Sequence, residues 1–357
     1  MIPVRFSRDA ESAGPVFDEE RMQKLLDDAF AGPPEEADWS SVMHQFASAG
    51  HPDLPGVFRR IAAHLPHTKA AGAAFFYWAA AEELARLEMP GLLSEVAAGL
   101  CRLDRDSYDA DAVAHIQDVL LAAGCEDDAL RIVEHFLPVF LGDENLISWA
   151  ARDWCNLLFE LRVGQRLRAP APVEASGAGR IAGELRGGIE TAVDSEMADA
   201  AAAVICEVQP LPTWVRAHFD LISDDLHDEA NWSAYLGFSA TLMAVVREAW
   251  QFDPKVAPGG FRGLMELLRT ERPPPLSGKR RREPLNLLDY LKPAQLEERI
   301  AHSCQDIIGI NVPKARLVLR ACALLAGFAT LHGLLRPADA AACEAELARL
   351  NGLLDSA

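Results

Sequence analysis

No run of about 18 uninterrupted apolar residues occurs in this sequence, so none of it reads as a membrane span. The longest apolar stretches, 196–206 and 321–335, are short and alanine-rich, and read as buried helices. The seven cysteines include no CxxC pair, which leaves a zinc ribbon or a thioredoxin-type redox centre without its ligands. Cys101, Cys125, Cys155, Cys206, Cys304, Cys322 and Cys343 are scattered, odd in number and set mostly among apolar residues, the pattern of reduced core thiols in a cytosolic protein. There is no Gly-rich phosphate loop, because Gly259-Gly260 lacks a following Lys-Ser or Lys-Thr, and there is no G-x-S-x-G nucleophile elbow. Met1 to Ser12 carries Arg5, Arg8, Asp9 and Glu11 without an apolar core, so no secretory leader is expected. Alternating runs of β-branched residues and hairpin-type Asn-Gly or Asp-Gly turns are lacking too, which leaves little material for a sheet.

Positive charge is scarce. Lys and Arg number 34 against 53 Asp and Glu, a formal net charge of −19. Such a chain repels nucleic acid and anionic lipid, whose binders neutralise phosphates with basic patches. The balance favours a soluble cytoplasmic protein whose partner is a protein, a basic one above all, with no nucleic acid, membrane, metal or cofactor. The abundance of Ala, Leu, Arg, Gly and Pro points to a GC-rich bacterial genome.

What the 357 residues do contain is apolar material, 50% of the total, at helical spacing. Leu146, Ala150, Trp154, Leu157, Leu158 and Leu161 form one stripe; Leu317, Ala321, Leu324, Leu325, Phe328 and Leu331 form another. Over 231–250 the stripe widens through Tyr235, Leu242 and Val245, as in a helix buried on several sides. Glycine and proline punctuate the rest. Pro55, Pro90-Gly91, Gly124, Gly142-Asp143, Pro293, Pro313 and Pro337 separate helices over 53–65, 70–88, 91–103, 110–123, 126–140, 144–165, 293–308, 314–334 and 338–354. Connections this short make neighbours pack antiparallel. The expected fold is all-α: stacked antiparallel helices in a repeat-like α–α superhelix with two helical lobes. Residues 1–18 read as an irregular arm, 19–166 as the first lobe, 167–180 as a linker rich in Ala, Pro and Gly, and 181–357 as the second lobe.

Gly124-Cys125-Glu126-Asp127-Asp128-Ala129-Leu130 resembles the turn and second-helix start of a tetratricopeptide repeat, a family that places Gly in the turn and a small Ala at the helix crossing. The resemblance covers one unit of about 34 residues near 110–140. It implies α–α repeats in which Val133 and Phe136 fill the groove between helices, and it carries over no functional residues. The neighbouring stretch 74–105 departs from the pattern, with Pro90-Gly91 at its turn.

Four motifs could carry chemistry. Asp224-Asp225-Leu226-His227-Asp228 resembles the DDxxD motif of class I isoprenoid synthases, also all-α, which implies Mg²⁺ held by Asp224, Asp225 and Asp228 against a diphosphate. The second metal-binding element of those enzymes is missing downstream, and the bland reading is a helix start with solvated carboxylates. Arg59 and His64 have the R-x4-H spacing of HEPN-type ribonucleases, set against a surface Arg and a half-buried His. His302, Cys304 and Asp306 share a helix but offer too few ligands for a metal. Phe75-Phe76-Tyr77-Trp78 covers most of a helix circumference, so one or two of these rings must meet a neighbour or a partner. Phe76, Tyr77 and Trp78 are the candidates for partner contact.

Lys279, Arg280, Arg281 and Arg282 join them, in a segment (271–284) that Pro273, Pro274 and Pro275 force into an exposed loop or a basic tether. The expected function is a non-catalytic interaction or scaffolding adaptor with an acidic helical groove. The alternatives are the Mg²⁺ enzyme and an acidic inhibitor of a basic toxin or nuclease.

Overall fold

A computed structural model describes residues 18–32, 37–65, 72–103, 109–142, 148–168, 177–206, 229–255, 257–269, 286–306 and 309–355. They form fifteen α-helices, and the fold is all-α as expected. Extended pairing among the described residues is limited to a two-residue antiparallel ladder, Gln305 opposite Ile310 and Asp306 opposite Gly309. No helix among them is long and apolar enough to cross a membrane.

The chain divides into two compact units, Asp9–Ala151 and Arg152–Ala357. Composition placed a linker at 167–180, of which 169–176 lie outside the described residues. The division falls in the first turn of a helix that runs from Ser148 to Leu167.

The first unit contains α1 (Glu19–Ala31), α2 (Trp39–Ser48), α3 (Leu54–His64), α4 (Ala73–Arg86), α5 (Pro90–Leu100), α6 (Ala110–Ala122) and α7 (Glu126–Gly142). Asp38, Asp53 and Asp109 start α2, α3 and α6 by accepting from the backbone N–H groups of Ser41, Gly56 and Ala112. The pairs α2–α3, α4–α5 and α6–α7 are hairpins with one turn chemistry. Gly50, Glu88 and Gly124 all take positive φ (66°, 54° and 80°). The residue after each donates its N–H to a carbonyl five back: His51 to Phe46, Met89 to Leu84, Cys125 to Leu120. This is the Schellman closure, which glycine enters without strain. Glu88 is the one non-glycine with positive φ among the described residues. The turn that sequence placed at Pro90-Gly91 lies at Leu87–Met89; Pro90 opens α5, where its missing N–H is harmless.

Helix α4 packs between α2 and α6, while α5 packs on α4 and α7. Burial follows that placement: Ala73, Ala74, Phe76, Tyr77, Ala80, Ala81 and Leu84 are all buried, more than one face of α4. Phe58 stacks on Phe76 at 5.9 Å and meets Tyr77 edge-on. Gly99 of α5 lies under the Tyr77 ring, where a Cβ would come within 2.5 Å of Cε1. Ala129, Val133 and Phe136 are buried in α7. Polar bonds tie successive hairpins together: His44 to Glu83 and His115 to Glu82 in one layer, Arg59 to Glu95 and Ser94 to Asp128 in the other.

The second unit holds α8 (Ser148–Leu167), α9 (Ala178–Arg186), α10 (Ser195–Ile205), α11 (Glu229–Phe252), α12 (Gly260–Arg269), α13 (Pro293–Ser303), α14 (Val312–Leu331) and α15 (Pro337–Asp355). The middle of α11 is buried all round, as its wide apolar stripe suggested, because α10, α12 and α14 surround it. α12 crosses α14 closely: a Cβ on Gly263 would lie 2.9 Å from the Leu317 carbonyl oxygen and 3.0 Å from Ala321 Cβ. The helix expected over 293–308 stops at Ser303. The short ladder replaces its last turn, and the Asn311 N–H returns to the Cys304 carbonyl so that Asn311 can cap α14.

Candidate functional site

Of the three rings of α4 expected to meet a partner, the structure leaves Trp78 at the surface and encloses the other two, and it turns Phe75 outward instead. Phe76 and Tyr77 are fully buried and present nothing to a partner. Trp78 is half-buried, and Phe75 is 41% exposed. The reason is tertiary: with α2 and α6 flanking α4 and α5 behind it, positions 73, 76, 77, 80 and 84 are enclosed, and 75, 78, 79 and 82 are left at the open stripe.

That stripe has a defined geometry. Phe75 and Trp78 stack at 5.8 Å between centroids, and Trp78 stacks on His115 of α6 at 4.3 Å. His115 Nε2 lies 2.8 Å from Glu82 Oε1, and the Trp78 indole N–H also donates to Glu82. Beside it, His44 of α2 pairs with Glu83 at 3.2 Å, and Arg86 with Glu83 at 2.9 Å. Partial burial pushes the Glu82 carboxyl upward. The hydrogen bonds from His115 and Trp78 and the nearby His44 outweigh it and hold Glu82 below the usual carboxylate range. A ladder of three rings thus ends on an ionised carboxylate, all of it supplied by α4 and α6.

The acidity of the protein is concentrated in this unit. Residues 9–151 contain 26 acidic against 9 basic side chains, whereas 152–357 contain 27 against 23. The unit carrying the aromatic stripe therefore projects nearly all of the negative field.

A second cluster lies inside the other unit. Glu160 of α8 accepts from Arg262 Nη1 at 2.6 Å and from Arg269. Glu266 accepts from Arg262 at 2.5 Å, Arg269 at 3.2 Å and Lys314 at 3.1 Å. Glu160 is 2% exposed and Glu266 8%. Burial pushes the Glu266 carboxyl up, but Arg262, Lys314 and Arg269 hold it far below the carboxylate range. All four carboxylate oxygens are engaged by cations of the same unit. The cluster fastens α8 and α14 to α12, and leaves no carboxylate oxygen for a substrate or a metal.

No protein-family model, no curated protein and no solved structure matches the chain.

The remaining sequence candidates do not assemble into a site. Arg59 is spent on Glu95, at 2.9 and 2.8 Å, while the His64 ring packs against Phe30 and Trp39 at 5.1 and 5.6 Å. Cys304 is buried, and the side chains of His302 and Asp306 lie outside the described residues, as do Asp224, Asp225 and Asp228 and all of Lys279 to Arg282. Among the described residues no group of three His, Cys, Asp or Glu side chains could hold a metal ion. Sequence reading missed Phe75, Glu82 and His115. The helical spacing of Phe75, Trp78 and Glu82 was there to see, but His115 arrives from another hairpin, 33 residues from Glu82.

Proposed function

We propose that this protein is a non-catalytic interaction or scaffolding protein of the cytoplasm that binds a protein partner on the α2–α4–α6 face of its first unit. The observation that carries this reading is the Phe75–Trp78–His115 stack. It leaves a large ring in water on the most acidic unit, and exposed aromatics framed by polar groups are what protein contact surfaces carry. Three hairpins closed by the same turn support an α–α repeat of tetratricopeptide kind, an architecture whose stacked first helices form a continuous binding face. Seven free cysteines agree with a reducing compartment.

The test places a photo-crosslinking residue at position 75 of the full chain, with position 341 of α15 as control. The expected result is an adduct at 75 and not at 341, with a partner whose binding to the purified chain is lost on Phe75→Glu. A partner that binds the Phe75→Glu chain as well as the unaltered one overturns the reading.

A further inference from the structure

Resting on that interaction reading, we propose that the α4 stripe docks an extended basic segment of the partner bearing two arginines three residues apart, one over Phe75 and one at Glu82. The argument starts from what the stripe lacks. Guanidinium groups lie over three other aromatic rings of this protein: Arg60 over Phe30 at 4.6 Å, Arg299 over Tyr290 at 4.7 Å and Arg168 over Trp250 at 5.8 Å. Among the described residues no lysine or arginine lies over Phe75 or Trp78, and the nearby Arg86 is held by Glu83. The exposed ring face and the carboxylate can each take one guanidinium, which stacks on aromatic faces and hydrogen-bonds to carboxylates.

The stripe is also rigid before anything binds. Trp78 is fixed by its stack on His115 and by its bond to Glu82, so little side-chain freedom is lost on docking. Glu82 stays ionised, and its side chain is 49% exposed.

Spacing selects the ligand. Phe75 and Glu82 are two helical turns apart, about 10 Å along α4. Three residues of chain in the extended polyproline II conformation span about 9 Å and make one full turn, so side chains three apart point to the same side, whereas adjacent residues span about 3 Å and point apart. The sequence pattern that fits is therefore Arg-x-x-Arg. Charge complementarity supplies the attraction, because this unit carries 26 acidic against 9 basic side chains.

The experiment is fluorescence anisotropy with the full chain and a fluorescein-labelled peptide, Gly-Ser-Arg-Gly-Ser-Arg-Gly-Ser. The comparison peptides carry adjacent arginines, two lysines at the same spacing, or two citrullines. The spaced arginine peptide should bind at least threefold tighter than the adjacent-arginine and lysine peptides, and the citrulline peptide should not bind. Phe75→Ser and Glu82→Gln should each weaken binding about threefold to tenfold, as expected for losing one exposed cation–π contact or one carboxylate partner. Glu344→Gln, an exposed site in the second unit, should leave it unchanged, and circular dichroism confirms that each variant is folded. Equal affinity for the spaced and adjacent peptides, or equal losses from Glu82→Gln and Glu344→Gln, would mean bulk charge attraction and overturn the proposal. If the peptide fails while a partner still crosslinks at position 75, the arginine site falls and the interaction reading stands; if both fail, both fall.

Discussion

Replacing Glu160 by Gln tests whether the buried ion cluster holds the second unit together. Glutamine keeps the shape but removes the charge that two guanidinium groups share, and it turns an amide N–H₂ toward one of them. The cluster goes from two carboxylates against three cations to one against three. Each lost pair is worth about 4 kcal/mol at about 4 Å between charge centres and an effective dielectric of about 20. Several kcal/mol of that is offset, because a carboxylate no longer has to be kept out of water. Removing one partner of a buried pair costs about 3–5 kcal/mol. The low end, about 3 kcal/mol, applies here because Arg262 and Arg269 both keep Glu266.

Equilibrium urea unfolding of the full chain, followed by circular dichroism, reads this out. With a slope of about 2 kcal/mol per molar, the midpoint of the second unit should fall by about 1.5 M. The loss should change little in 0.5 M NaCl, because the pairs are out of reach of screening ions. Glu160→Met combined with Arg269→Met should recover most of it, since charges then leave together. A fall below about 0.5 M, or no recovery in the double variant, refutes the reasoning. Acid adds a sign. The folded-state Glu266 carboxyl is depressed, so its stabilisation is complete above the ordinary carboxylate range and is lost only as pH falls toward the folded value.

Three further outcomes are expected. Glu88→Gly should raise stability by about 1 kcal/mol, because Glu88 alone holds a left-handed turn position that its counterparts give to Gly50 and Gly124; an unchanged or lower melting temperature counts against the shared-turn account. Tyr77→Phe should be neutral or stabilising, because the Tyr77 hydroxyl is buried without a partner and burial pushes its pKa up to about 12; a loss above about 1 kcal/mol would reveal a hydrogen bond the structure does not contain. Thiol titration at pH 8 should find all seven cysteines in denaturant but proceed slowly in the native protein. Burial pushes Cys101 up to about 11 and raises Cys155, Cys322 and Cys343, and the thiolate is the reactive form; a fast native reaction at several thiols contradicts this.

Much of the fold could be read along the chain, because helix boundaries are local events. The 3.6-residue period and the glycine and proline punctuation placed α3 to α7 and α13 to α15 to within a few residues, except where α13 gives way to the ladder and where α4 starts at Ala73. The left-handed Gly124 and the buried Ala129 were legible for the same reason, since a helix end and a helix crossing depend on backbone freedom and side-chain bulk at single positions. The cluster of Glu160 and Glu266 with Arg262, Arg269 and Lys314 was not legible, because Glu160 lies more than 100 residues before the arginines it pairs with and only packing of α8, α12 and α14 brings the groups together. The aromatic run shows the boundary most clearly. Four consecutive rings have no single face, so sequence required that one or two of them point outward and could not say which. That choice belongs to α2, α5 and α6, which enclose Phe76 and Tyr77 and leave Phe75 and Trp78 at the surface, where His115 from a different hairpin completes the stack.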